Sequence, residues 1–139
     1  MKRKHLIPLF FVVILSFALT TSSLAAERRA SDQINRYSIA VTPVSSSLKV
    51  AVSVSSYSLA DKIGCESIEV YEKSGSRWSL TESLDENDAG MSTSNDRKYI
   101  NTIYCDSEPG VEYKVVVTIF AEDSAGRDTR TQTKYVTGA

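Results

Sequence analysis

Between Val111 and Ala121 the odd positions Tyr113, Val115, Val117, Ile119 and Ala121 are apolar, while Glu112, Lys114 and Thr118 between them are polar. A period of two residues belongs to a strand with one face on a core and the other in water. Val116 and Phe120 interrupt the polar file. Their neighbours already supply the core, so these two large apolar side chains are candidates for a surface contact patch. A turn follows at Glu122-Asp123-Ser124-Ala125-Gly126, where Gly126 can take positive φ without steric cost. Thr129, Thr131, Thr133 and Tyr135 then alternate with Arg130, Gln132 and Lys134, which predicts the second strand of an antiparallel hairpin. A lone hairpin is marginal in water, so this one requires further strands and a second layer.

Those strands are legible upstream. Tyr37, Ile39 and Val41 alternate with Ser38, Ala40 and Thr42, and Pro43 ends the ladder or marks an edge. After a turn at Ser45-Ser46-Ser47, the file Leu48, Val50, Val52, Val54 predicts a second strand. Ser55 to Gly64 reads as a connecting loop, with Tyr57, Leu59 and Ile63 folded back over the core. Ile68 and Val70 mark a third strand whose other face carries Glu69 and Tyr71. Ser74-Gly75-Ser76 turns the chain into a fourth strand with Trp78 and Leu80, ending near Ser83. Leu84 to Arg97 is polar and without period. Tyr99 to Cys105 returns to strand character, with Tyr99 and Ile103 competing against Ile100 and Tyr104 for the inner face. Seven strands and no amphipathic helix predict an all-β chain, a seven-stranded antiparallel two-layer sandwich over residues 36–137, with a small barrel as the alternative.

The run Glu108-Pro109-Gly110-Val111-Glu112-Tyr113-Lys114-Val115-Val116-Val117, followed by Ala121 to Gly126, resembles the last third of a fibronectin type III-like or immunoglobulin-like domain. That resemblance implies an Ig-like sandwich in which Tyr113 caps one end. It covers about thirty residues well, and the chain departs from the pattern at the second strand, with Val54 or Tyr57 where the family commonly has a buried Trp. Asp61-Lys62-Ile63-Gly64 together with Val70 to Gly75 also resembles a group of small secreted proteins of Gram-positive, Clostridium-like bacteria, a likeness that supplies no mechanism.

The first 25 residues read as a signal peptide. Lys2, Arg3, Lys4 and His5 precede an apolar run from Leu6 to Ala18, and Ser23-Leu24-Ala25 suits a signal peptidase. The run is shorter than the ~20 residues that span a bilayer, so a released, secreted product beginning at Ala26 and carrying no membrane anchor is expected. Residues 26–35 are expected to be a tail. Beyond residue 25 there are thirteen Lys and Arg against seventeen Asp and Glu, a net charge of −4, which argues against nucleic acid as a partner. A monomer is expected.

Candidate chemistry is sparse. His5, the only histidine, leaves with the signal peptide, so no Ser-His-Asp or Cys-His reaction and no imidazole ligand is available to the remainder. Glu66, Glu69 and Glu72 recur every three residues, but their apolar neighbours argue for a strand, on which they are solvated surface. Asp85, Asn87 and Gly90 match the first, third and sixth positions of an EF-hand calcium loop and Asp96 stands at the last, yet Ala89 occupies the fifth and no helix flanks the segment. Two cysteines in an exported chain predict a disulfide between Cys65 and Cys105. The type III-like topology places those residues at opposite ends, beyond the ~7 Å a disulfide tolerates. Either the pairing, the strand boundaries or the topology must therefore yield; two buried thiols and pairing with another chain are the alternatives.

For binding, Trp78, Tyr104, Val116 and Phe120 are the candidate surface, with core packing the readier fate of Trp78 itself. No cofactor is expected. The expected function is a non-enzymatic module that binds a protein or cell-surface polymer. The alternatives are a structural component that self-associates through strand edges and a small glycan hydrolase using two carboxylates.

Overall fold

The computed structural model describes residues 32–139; the expected signal peptide and the start of the tail lie outside them. Six antiparallel strands make one curled sheet, a half-barrel: β1 (Ile34–Val44), β2 (Ser47–Ser74), β3 (Arg77–Asp85), β4 (Ser92–Asp106), β5 (Glu112–Asp123) and β6 (Gly126–Thr137). The count differs from the expected seven because the second and third expected strands, and the loop between them, are one strand. β2 is 28 residues long. Its first part, Ser47–Ser56, runs between β1 and the end of β4, and its second part, from Lys62, runs between β5 on one side and the start of β4, then β3 from Ser67, on the other, with β6 outside β5.

The sequence around Ser55–Asp61 has no clean alternation, and the strand is carried through it by pairing on either side of a bulge, Ser55 and Ser56 with β1 and Ala60 and Lys62 with β4. Register slips against β4 between Ser55 and Ala60 and against β5 between Cys65 and Ser67. Bulges of this kind add twist and bend a strand, and here they curl the sheet. Tyr57 and Leu59 consequently point into solvent, whereas Ile63 is fully buried. Gly64 is the closest crossing. The Met91 carbonyl accepts the Cys65 N–H at 2.7 Å, and a Cβ on Gly64 would lie 2.3 Å from that oxygen.

Both parts of β2 line the same core. Leu48, Val50, Val52 and Val54 meet Ile63, Cys65, Ile68 and Val70, together with the inward file of β5 from Tyr113 to Ala121. On β4 the contest of faces is settled for Tyr99, Ile103 and Cys105 inward, with Ile100 and Tyr104 exposed. The polar run after Leu84 contracts to a turn of six residues, 86–91, because β4 starts at Ser92 on an exposed strand of Thr, Ser, Asn, Asp, Arg and Lys.

Turn residues sit where they were expected. Ser46 has φ of 60° between β1 and β2, Gly75 has φ of 63° between β2 and β3, and Asp123 pairs with Gly126 across the β5–β6 turn, where its Oδ1 accepts the Ala125 N–H at 2.7 Å. Tyr113 is buried and its hydroxyl accepts the Glu108 N–H at 2.8 Å, tying the β4–β5 connection to the start of β5.

The expected disulfide is not formed. Cys65 and Cys105 are both free and buried. Cys105 pairs opposite Leu48 near the start of β2 and Cys65 lies past its bend, opposite Ile119, so the topology wins over the pairing. Burial pushes both thiols up, to about 11 for Cys65 despite a hydrogen bond with Tyr99 and to about 12 for Cys105, where the nearby Glu82 and Asp106 add to the effect. Neither is an activated nucleophile.

Candidate functional site

The outer face of β3, the second part of β2, β5 and β6 carries a cross-strand row. Leu80 pairs with Tyr71, Tyr71 with Lys114, and Lys114 with Tyr135. Four strands at ~4.8 Å spacing spread this row over about 14 Å. A bulge between Val70 and Tyr71 sets the phase: without it Leu80 would face a different partner. Such residues point away from the core because Val70, Val115 and Val136, their neighbours in sequence, point toward it.

Trp78, opposite Lys73 on the next row, leans along this face until its ring centroid lies 5.8 Å from that of Tyr135, at an interplanar angle of 56°. Lysines fill the spaces between rings. Lys114 Nζ is 4.4 Å from the Tyr71 centroid and 5.5 Å from the Trp78 centroid, and Lys73 Nζ is 5.8 Å from Trp78 while pairing with Glu112 at 3.0 Å. Both the rings and the cations gain from this arrangement. The Tyr71 hydroxyl donates to Glu69 at 2.8 Å, which raises the Tyr71 pKa. Tyr135 remains 67% exposed, and Leu80 is exposed at the other end of the row. Trp78 and Tyr135 flank a notch of about 320 Å³ whose polar edge is Lys73, Glu112 and Thr137.

The four surface residues expected from sequence do not form one patch. Trp78 and Val116 share the face just described, with Val116 half-buried two residues along β5 from Lys114. Tyr104 is exposed on β4, opposite Lys49 in the first part of β2, away from the Trp78 face. Phe120 is buried, contrary to its expected exposure. It pairs with Gly64, and the Arg127 guanidinium caps its ring at 4.1 Å.

Arg127 is itself held by Glu66 at 3.0 Å, Glu86 at 2.9 Å and Glu122 at 2.5 Å, and Lys62 reaches Glu86 at 2.7 Å. Hydrogen bonds from Arg127 and then Lys62 hold the Glu86 carboxyl down at about 2, and the same carboxylates raise Arg127. This network closes one end of the face and leaves the Trp78–Tyr135 end open. The Gly126-Arg127-Asp128 stretch is structural throughout: Asp128 Oδ2 accepts the Gln33 and Ile34 N–H groups, both at 3.1 Å.

The calcium-like segment spends its carboxylates on its own backbone. Asp85 Oδ1 accepts the Asn87 N–H, Asp88 Oδ2 accepts the Asp85 N–H, and Asp96 Oδ1 accepts the Arg97 and Lys98 N–H groups. Among the described residues no group of three or more His, Cys, Asp or Glu is placed to hold a metal ion, and no helix is long and apolar enough to cross a membrane. A separate acidic groove of about 340 Å³ gathers Glu72, Glu82, Asp106 and Glu108 between β3 and the end of β4.

Tyr71, Lys114 and Tyr135 were missed by the sequence reading. Their signal was present as large aromatic or long cationic residues in polar files, but only the register puts them in one row. The chain matches no protein-family model and no curated protein. What the fold and face define is a class: an all-β domain built on a curled antiparallel sheet, consistent with a binding module.

Proposed function

We propose that the protein is an exported, non-enzymatic module that binds a cell-surface polymer through the outer face of β3, β2, β5 and β6. The observation that carries this reading is the aromatic and lysine row of Tyr71, Lys114 and Tyr135 with Trp78 leaning on it, in which Tyr135 is exposed and the other three are half-buried. Large rings that a fold leaves in water, backed by a rigid sheet, supply contact area with little side-chain entropy to lose.

On the same reading the curled sheet acts as a fibronectin type III-like sandwich. One layer is β1, the first part of β2 and β4; the other is β3, the second part of β2, β5 and β6. Support comes from the core common to both parts of β2, from the Tyr113 hydroxyl bond to Glu108, and from the Asp128 bonds that join the start of β1 to β6. Export rests on the basic and apolar character of residues 1–25.

The test is co-sedimentation of the purified protein with cell-envelope material of the producing organism. Wild type is retained, and Trp78→Ala and Tyr135→Ala, with unchanged thermal melts, are released. Retention that ignores both substitutions overturns the assignment of this face. The intact mass of the protein in culture medium checks export, with a chain beginning at Ala26 expected and a full-length chain refuting it. The acidic groove favours a second reading, glycan hydrolysis by two carboxylates. Release of reducing sugar that is lost in Glu82→Gln and Asp106→Asn would establish it.

A further inference from the structure

We infer that the notch beside the Trp78–Tyr135 ring pair seats a single sugar ring of an uncharged polysaccharide. The inference rests on the reading of this face as a polymer-binding surface and names the chemistry of the polymer. At about 320 Å³ the notch stands at the lower end of the ~300–1,000 Å³ range of small-ligand sites, room for one ring and its substituents.

Trp78 and Tyr135 pack on each other as a tilted pair, centroids 5.8 Å apart at 56°, and both line the notch, so a sugar would rest against the outer surface of the pair and not between the rings. The C–H bonds on the flat side of a sugar ring carry slight positive charge and settle on the electron-rich face of an aromatic ring. The polar edge matches the rest of a sugar. Each hydroxyl can both donate and accept a hydrogen bond, and the notch offers an acceptor carboxylate on Glu112 beside a donor ammonium on Lys73, 3.0 Å apart, with the Thr137 hydroxyl nearby. Adjacent hydroxyls on one ring can use that pair without breaking it.

The competing occupant, a proline-rich peptide, also favours aromatic grooves. A proline ring has nothing to donate to Glu112, so covering the notch with it would strip water from a carboxylate without replacing the hydrogen bonds. Charge argues for an uncharged polymer. Lys73 on this face is paired with Glu112, Lys114 lies over the Tyr71 ring, and the chain beyond residue 25 carries −4, which disfavours a polyanion.

Trp78 is the only tryptophan in the chain, so its fluorescence reports the notch directly. The purified protein is titrated with soluble neutral polysaccharides (β-glucan, mannan, galactan and starch), with alginate as an acidic polymer and with a polyproline peptide. A saturable change in Trp78 emission with at least one neutral polysaccharide is expected. It should be insensitive to salt, weakened at least tenfold in Tyr135→Ala, largely restored in Tyr135→Phe, and weakened in Glu112→Ala. A response to polyproline alone overturns the sugar assignment and a response to alginate alone overturns the uncharged polymer, and either leaves the face as a binding surface. Silence toward all these probes, with envelope retention still lost in Trp78→Ala, likewise overturns the sugar while the broader function stands. Silence together with retention that ignores the substitution removes both.

Discussion

Gly64→Ala tests how the curl of the sheet is held. A Cβ there would lie 2.3 Å from the Met91 oxygen, 2.6 Å from Ser92 Cα and 3.0 Å from Ser92 Cβ. Ordinary contact begins near 3.4 Å, so the Met91–Ser92 backbone must retreat by about 1 Å. That retreat stretches the 2.7 Å bond from the Cys65 N–H beyond the ~3.2 Å limit of a good hydrogen bond.

Losing a buried bond costs about 1 to 2 kcal/mol and overpacking about 1 to 3 kcal/mol, giving about 2 to 5 kcal/mol in all. A domain of this size has only about 5 to 15 kcal/mol to lose. With a urea slope of about 1 to 3 kcal/mol per molar, the midpoint read by Trp78 fluorescence should fall by at least about 0.7 M. Gly75→Ala is the control. Its φ of 63° is unfavourable for alanine but nothing lies within 4 Å of the added carbon, so its cost should stay near 1 to 2 kcal/mol. If Gly64→Ala is no more destabilising than Gly75→Ala, the backbone crossing does not govern the curl.

The thiols of Cys65 and Cys105 should resist alkylation at pH 8 in the native protein and both react in urea, with no mass change on reduction; a native thiol labelled within minutes would contradict their burial. Glu86, held at about 2 against an ordinary 4.5, contributes stability that is complete above about pH 4.5 and is lost as pH falls toward 2. Its side chain is 22% exposed, and screening by solvent brings the expected effect to about 1 to 2 kcal/mol. Urea titrations at pH 6 and pH 2.5 should show wild type losing that much more than Glu86→Gln, and equal losses would mean the network is inert. Tyr113→Phe leaves the Glu108 N–H without its acceptor and should cost about 1 to 2 kcal/mol in the same assay, while a neutral result would show that water replaces the hydroxyl.

Alternation along the chain determined much of this protein. The inward files of β1, β5 and the two parts of β2 and the β1–β2, β2–β3 and β5–β6 turns follow from side-chain period and from residues suited to tight turns. These properties are local, so they can be read locally. Tertiary structure decided the rest. It made Ser55–Asp61 part of one bent strand, because pairing of Ser55 and Ser56 with β1 and of Ala60 and Lys62 with β4 carries the strand across a bulge that lacks a pattern. It buried Phe120, because an arginine from the next strand covers the ring. It kept Cys65 and Cys105 apart, because they pair at different parts of β2. And it assembled Tyr71, Trp78, Lys114 and Tyr135 on one face, because a row across a sheet is set by register between strands, and register is a relation between segments that no single segment contains.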